Sequence, residues 1–164
     1  MTQKTALIIG GGSGIGADAA RHLAASGYRV GIMSSSGKGE ALGKELGGIG
    51  FTGSNLNPDD LSAFIDLAMT EFGRIDGLVN GAGHGPKGDL MEISDDDWHL
   101  GMDYYLLNVI RAVRLVQPIM EKQGSGSIVN VPFRFQKPFS TVGRAFPMRA
   151  ATRVGDHKCA SPRT

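Results

Sequence analysis

The chain has 164 residues, 41% of them hydrophobic, and a formal net charge of +1, which is typical of one globular domain with a sizeable core. It contains no apolar run near the roughly 20 residues of a membrane span, and no signal-peptide pattern, so we expect a cytoplasmic protein without a membrane partner. One cysteine, Cys159, and four dispersed histidines exclude an internal disulfide and predict no metal site.

The first predicted elements are a strand, a glycine-rich turn and a helix. Residues 6–9 form an apolar run typical of a strand buried on both faces of a parallel sheet. Glycines then allow a sharp turn and a tight start to the helix, whose free N–H groups and dipole favour a pyrophosphate. A structural turn without a ligand is the alternative. We call residues 10–16 the glycine turn and expect it to bind the pyrophosphate of a dinucleotide. The residues expected to bind the dinucleotide here are Gly10, Gly12, Ser13, Gly14, Ile15 and Gly16.

A second strand, 29–33, runs into a turn that contains three serines, Gly37 and Lys38. The adenosine ribose lies at this strand end in doubly wound sheets. No acid is present to bind a ribose 2′-hydroxyl, whereas hydroxyls and a positive charge suit a 2′-phosphate. Ser34, Ser35 and Lys38 therefore favour NADP(H), with NAD(H) as the alternative cofactor. The other interpretation is a solvated, serine-rich loop.

The chain continues as alternating helices and strands. The patterns predict helices over about 40–46 and 58–72, strands over 49–52, 75–80 and 127–131, and one long helix over 95–122 with a kink near Pro118. That long helix is a candidate surface for a homo-oligomer. Asn80, at the mouth of a glycine-rich turn, either holds two strand ends together or is an ordinary turn residue.

The last part of the chain changes character. Residues 1–130 carry 10 basic and 15 acidic side chains, whereas residues 131–164 carry 7 basic side chains and a single acid, Asp156. The basic residues are scattered and form no run, which argues against a nucleic-acid partner. We therefore expect a dinucleotide-binding domain over 1–131 and an irregular, basic, proline-containing tail over 132–164. The tail is expected either to pack poorly or to fold over the exposed edge of the fifth strand.

Four motifs resemble the short-chain dehydrogenase/reductase family in order and spacing. They are Gly10-x3-Gly14-x-Gly16, Asn80-Gly81-Ala82-Gly83, Trp98 at the head of a long helix, and the segment from Gly126 to Asn130. The resemblance covers about residues 4–131. It implies an α/β fold, a three-layer, Rossmann-like, doubly wound parallel sheet of order 3-2-1-4-5, truncated here after the fifth strand.

The same resemblance implies a cofactor and an ancestral activity. The activity is hydride transfer between NADP(H) and a small carbonyl or alcohol substrate. The cofactor residues that it adds are Ser54, Asn55, Asn80, Ala82 and Gly83.

The catalytic residues of the family do not fall on matching side chains. The Asn that holds a proton-relay water falls on Tyr105, the catalytic Ser on Phe133, and the Tyr-x3-Lys pair on Phe146 and Ala150. Tyr105 is the one candidate substitute for the missing proton donor. Two interpretations follow: an NAD(P)-dependent oxidoreductase that acts on CH–OH groups through other residues, or a catalytically inactive dinucleotide-binding remnant of a truncated or frame-shifted chain.

Overall fold

The computed structural model describes residues 3–81, 85–86, 88, 91–131 and 151–154, the last four by their backbone alone. Strands and helices alternate along the chain. They are β1 (Thr5–Ile9), α1 (Gly14–Ala25), β2 (Arg29–Ser34), α2 (Lys38–Glu45), β3 (Ile49–Thr52), α3 (Pro58–Phe72), β4 (Gly77–Gly81), α4 (Asp95–Met102), a π-helical segment (Asp103–Leu107), α5 (Asn108–Gln123), β5 (Gly126–Val131) and β6 (Ala151–Val154).

The strands form one sheet of order β3-β2-β1-β4-β5-β6. The first five are parallel, which confirms the predicted order 3-2-1-4-5. Ile9, at the end of β1, pairs with Met33 of β2 and with Asn80 of β4. The glycine turn after β1, the serine-containing turn after β2 and Asn80 of β4 therefore lie at the same edge of the sheet.

Helices cover both faces, as in a doubly wound fold. On one face, α3 and α5 pack against the odd-numbered residues of β1, Leu7 and Ile9. On the other face, α1 and α2 pack around Ile8 and the β2 residues Val30 and Ile32. Burial of both faces explains why the first strand is an unbroken apolar run. Within the described part of the chain, no helix is both long and apolar enough to cross a membrane.

The predicted helix starts are present. Asn57 caps α3, because its side chain accepts a hydrogen bond from Asp59 N, and Pro58 occupies the first turn. Ser94 caps α4 by accepting from Asp97 N at 3.2 Å. Both caps satisfy backbone donors that have no partner inside the helix.

The helical region predicted over 95–122 is present, with an irregular turn that the sequence does not predict. Its middle turn is π-helical, and Asn108 N donates to Asp103 O, five residues back rather than four. The apolar spacing could not indicate the extra residue, because the neighbouring Leu106 and Leu107 fit an apolar stripe in either register.

Part of the tail folds along the edge of the fifth strand, as one of the two expectations has it. The tail over 132–164 is therefore not irregular throughout, and the sheet does not end at the fifth strand. Residues Ala151–Val154 form β6, antiparallel to β5, with Gly126 opposite Val154 and Val129 opposite Ala151. A strand at an open sheet edge is held by backbone hydrogen bonds, so it needs no alternating side-chain pattern that a sequence would display.

Candidate functional site

The glycine turn is fixed against the end of β2 and allows no side chain at its closest point. Gly10 N and Gly11 N both donate to Met33 O, at 2.9 and 3.0 Å. A Cβ at Gly16 would lie 2.5 Å from Gly10 O, so the first turn of α1 packs directly on the turn. Gly10 has a positive φ of +76° and Gly14 one of +54°, which L side chains rarely adopt. These positions therefore require glycine.

The N-terminus of α1 is open to an anion. Its N-cap, Ser13, makes no side-chain cap hydrogen bond, and the first turn holds no acidic residue. Ile15 is 69% exposed beside it. Unpaired N–H groups and the positive end of the helix dipole are the features that hold a phosphate.

Gly12 brings the second predicted cluster next to the first. A Cβ on Gly12 would lie 2.9 Å from Ser34 Oγ and 3.3 Å from Lys38 Cβ. Ser35 and Lys38 are exposed. Ser34 is buried, and its Oγ accepts from Gly39 N at 2.8 Å. The Ser34 hydroxyl therefore fixes the start of α2, while Ser35 and Lys38 face the solvent beside the glycine turn.

The loop after β3 joins this cluster. Gly53 N donates to Ser34 O at 3.1 Å. Ser54 N donates to Asp60 Oδ2 at 2.7 Å, and Ser54 Oγ accepts from Leu56 N at 3.2 Å. Asn55 is half-buried next to it. Ser54 and Asn55 thus lie in a loop that is tied to the end of β2, on the Ser34 side of the glycine turn.

Asn80 joins two strand ends through a side chain. Its Nδ2 donates to Oδ1 of Asn130 at 2.9 Å, and the two residues are opposite each other in the β4–β5 register. Of the two interpretations of Asn80, the one that holds strand ends together is confirmed, although the partner is a side chain and not backbone. Ala82 and Gly83 lie outside the described residues.

Tyr105 lies in the π-helical segment, close to the loop that follows β4. Its hydroxyl accepts a hydrogen bond from Gly85 N at 2.8 Å. Arg111 holds the same segment, because its Nη2 donates to Asp103 Oδ1 at 2.9 Å, and its Nη1 reaches Leu56 O at 3.4 Å. Phe133, Phe146 and Ala150 lie outside the described residues.

Sequence reasoning missed two polar residues near this edge. Asn130 could have been found as the second asparagine that ends a strand, since parallel strands 4 and 5 end at the same edge of the sheet. Arg111 gives no such signal, because an arginine on the polar side of a helix is ordinary.

Comparisons with known proteins agree with this architecture. A family model described as short chain dehydrogenase matches residues 4–132. A 3-oxoacyl-(acyl-carrier-protein) reductase of Staphylococcus epidermidis is 32% identical over 135 residues, which span 78% of this chain and 55% of the relative. The chain spans about half the length of the curated relatives it matches.

Two solved structures share the fold. A 3-ketoacyl-ACP reductase from Sinorhizobium meliloti superposes with a TM-score of 0.73 at 27% identity, over 77% of this chain and 52% of that chain. A variant of actinorhodin polyketide ketoreductase, solved with NADPH, superposes with a TM-score of 0.72 at 29% identity, over 78% of this chain and 52% of that chain. With the family match over residues 4–132, the sheet order and the glycine turn, the chain belongs to the short-chain dehydrogenase family.

Proposed function

We propose that this protein binds NADP(H) at the carboxyl edge of β1, β2 and β4. The observation that carries the proposal is the close contact at Gly12. Because Gly12 has no Cβ, the glycine turn can lie directly against Ser34 and Lys38. The pyrophosphate lies on the glycine turn and the N-terminus of α1. Ser35 and Lys38 hold the 2′-phosphate through charge-assisted hydrogen bonds.

The remaining predicted residues are assigned to the two ends of the dinucleotide. Ser54 and Asn55 border the adenine, because their loop is tied to the end of β2. Asn80, Ala82 and Gly83 border the nicotinamide half. The NADPH in the solved actinorhodin ketoreductase supports the phosphorylated cofactor for this chain, and NAD(H) is the weaker ligand.

The reaction class proposed for this site is hydride transfer between NADP(H) and a small carbonyl or alcohol. The cofactor supplies the hydride, and the protein has to bind and orient both reactants and provide a proton. The similar proteins named as reductases support this class. The alternative is a protein that binds the dinucleotide but does not catalyse hydride transfer. The side chains of Phe133, Phe146 and Ala150 favour this alternative, because none of them can donate a proton.

Tyr105 is the proposed substitute donor if the protein is active. Its hydroxyl contacts Gly85 N, in the loop that follows the nicotinamide-side turn. General acid catalysis contributes about 10² to 10⁴ in rate, so loss of the family's donor should leave turnover far below that of a typical enzyme.

We retain three further proposals from the sequence. The chain divides into a dinucleotide domain, 1–131, and a basic tail, 132–164, of which residues 151–154 add an edge strand to the sheet of the domain, and it acts in the cytoplasm. A second copy pairs through the helical region 95–122, where exposed apolar side chains support the proposal. These side chains are Trp98, Leu100, Met102, Leu106 and Leu107.

The cofactor assignment is tested by reversing one charge at two places on α2. Lys38 and Lys44 are both exposed, at the first and last turns of the same helix. Lys38→Glu should weaken NADPH about tenfold or more and leave NADH affinity nearly unchanged, because only NADPH carries the 2′-phosphate. Lys44→Glu should change neither affinity by more than about twofold. Equal losses for both cofactors in Lys38→Glu would contradict the proposal.

A further inference from the structure

The chain after β4 meets the π-helical segment through a backbone group. Gly85 is buried, and its N–H donates to Tyr105 Oη at 2.8 Å. A buried backbone donor needs a partner, because its desolvation otherwise costs about as much as a lost hydrogen bond. The Tyr105 hydroxyl supplies that partner from twenty residues further along the chain. The contact therefore joins two parts of the fold that are far apart in sequence.

Gly85 has to be a glycine because of the same side chain. A Cβ at this position would lie 2.7 Å from Cε2 of Tyr105 and 3.0 Å from both Cζ and Oη. Any other residue at position 85 would therefore displace either the backbone or the tyrosine ring. Because Gly85 has no Cβ, its backbone can lie directly on the ring, within reach of the hydroxyl. Tyr105 and Gly85 thus form one complementary contact.

Tyr105 is held by the contacts of its own segment. Asp103, which opens the π-helical segment, accepts a hydrogen bond from Arg111 Nη2 at 2.9 Å. Arg111 Nη1 also reaches Leu56 O, in the loop after β3, at 3.4 Å. Asn108, which is buried at the start of α5, donates its backbone N–H to Asp103 O. The hydroxyl of Tyr105 therefore extends from a fixed base and can hold the chain that it contacts.

The chain that Tyr105 contacts is rich in glycine. Four of the eight residues from 81 to 88 are glycine, and glycine loses more conformational freedom on ordering than any other residue. Gly85 is four residues beyond the end of β4 at Gly81, so it lies within about 14 Å of that strand end. The nicotinamide half of the dinucleotide is proposed to bind there. A hydrogen bond that orders this part of the chain beforehand lowers the entropy cost of binding.

We propose that Tyr105 is a positioning residue whose hydroxyl fixes Gly85, and with it the chain after β4, for the nicotinamide half of NADP(H). This role uses a lone pair of the hydroxyl oxygen, whereas the proposed acid role uses the hydroxyl proton, so the two roles are separable. The adenosine half is proposed to lie at β2 and β3, on the other side of β1 from β4. Its binding should therefore not depend on this contact. The inference rests on the proposed function.

The test uses two ligands and one measurement without ligand. NADPH carries both halves of the dinucleotide, whereas adenosine 2′,5′-bisphosphate carries the adenosine half alone. Calorimetry measures the affinity for each, and NMR measures hydrogen exchange of the Gly85 amide in the free protein. Tyr105→Phe keeps the ring and removes the hydroxyl, and Gly85→Ala adds the Cβ that meets the ring. Tyr104→Phe, in the same π-helical segment, is the matched control.

In Tyr105→Phe, we expect the Gly85 amide to exchange at least about tenfold faster than in the wild type, because its acceptor is gone. NADPH affinity should fall about three- to tenfold, and bisphosphate affinity should change less than about twofold. Gly85→Ala should show the same selective loss of NADPH affinity. The double variant should lose less affinity than the product of the two single losses, because both changes break one contact. Tyr104→Phe should change none of these quantities by more than about twofold.

Unchanged exchange of the Gly85 amide in Tyr105→Phe overturns the inference, and so does unchanged NADPH affinity. Equal losses for NADPH and the bisphosphate also overturn it, because they indicate a general loss of structure. If Tyr105→Phe does not fold, Gly85→Ala decides by the same comparison of the two ligands. A wild-type protein that binds neither ligand contradicts the proposed function, and the exchange of the Gly85 amide alone then supports or overturns the contact.

Discussion

The side-chain amide of Asn80 donates to that of Asn130 at 2.9 Å, across the carboxyl ends of β4 and β5. Asn80 is buried. The bond continues the β4–β5 pairing at the edge of the sheet where the dinucleotide is proposed to lie. It therefore fixes the position of one strand end relative to the other.

This pair should be coupled in stability. Asn130→Ala leaves the buried Nδ2 of Asn80 without this partner and should lower the free energy of unfolding by about 1–3 kcal/mol. The double variant Asn80→Ala/Asn130→Ala should lose about 1 kcal/mol less than the sum of the single variants. Urea unfolding of the three variants measures this coupling, and purely additive losses would show that the bond contributes nothing.

Gly16 should tolerate no side chain. In Gly16→Ala, the new Cβ would lie 2.5 Å from Gly10 O, and overpacking of this kind costs about 1–3 kcal/mol. NADPH affinity should fall as well, because the glycine turn has to move. Gly101→Ala is the matched control: nothing lies within 4 Å of its Cβ position, and α4 should gain up to about 1 kcal/mol. Equal stability in both variants would contradict the packing argument.

Asp76 links the loop between α3 and β4 to the start of β1, at the opposite, amino end of the sheet. Its Oδ2 accepts from Thr5 N at 2.9 Å and from Arg74 Nε at 2.8 Å. Burial acts to raise the pKa of Asp76, but the hydrogen bonds from Arg74 and Thr5 and the charges of Arg74 and Lys4 outweigh it, so the pKa lies below its ordinary value.

The sign of the pH dependence follows from this lowered pKa. The contribution of Asp76 to stability is fully present above its unfolded pKa, near 3.9, and is lost as the pH falls through the lower, folded pKa. Asp76→Asn should be less stable than the wild type at pH 7 by about 1–2 kcal/mol, and it should lose less stability than the wild type on acidification. Asp66→Asn, at an exposed position of α3, is the control. Thermal unfolding at pH 7 and pH 3 measures the stability of both variants. If Asp76→Asn loses as much stability as the wild type between pH 7 and pH 3, the assignment is contradicted.

The sheet and the glycine turn could be predicted because both depend on local requirements. Ile9 ends a strand buried on both faces, and Gly16 is required by a backbone contact to Gly10 only six residues away. The sequence predicts Ser34 at the cofactor site but not that its Oγ also accepts a hydrogen bond from Gly39 N, as a serine hydroxyl close to a helix start readily does. A list of suitable side chains does not reveal which are already used inside the protein.

Long-range partners and backbone irregularities could not be predicted. Asn80 finds its partner fifty residues away, and the pairing depends on the register of two strands. The π-helical segment leaves no mark in the apolar spacing, and β6 pairs with β5 across a long stretch of chain. Each of these features arises from tertiary contacts and not from local propensity.

Turnover of carbonyl compounds should be hard to detect. A chain without the family's proton donor should react about 10² to 10⁴ times more slowly, although cofactor binding and hydride transfer can leave residual activity. A screen of the mass-verified protein with NADPH against aldehydes, ketones and quinones should give turnover far below 1 s⁻¹, the lower end of the usual range. Turnover at or above 1 s⁻¹ that disappears in Tyr105→Phe would contradict this expectation and identify Tyr105 as the acid.

The most direct test of the dinucleotide site is equilibrium titration of the wild-type protein with NADPH and, separately, with NADH. Calorimetry and nicotinamide fluorescence both report the binding. We expect saturable binding of one dinucleotide per chain, with NADPH tighter than NADH by about tenfold, because we propose that the exposed Lys38 beside Gly12 binds the 2′-phosphate. Equal affinities would contradict the preference for NADP(H), and no saturable binding of either dinucleotide would contradict the site itself.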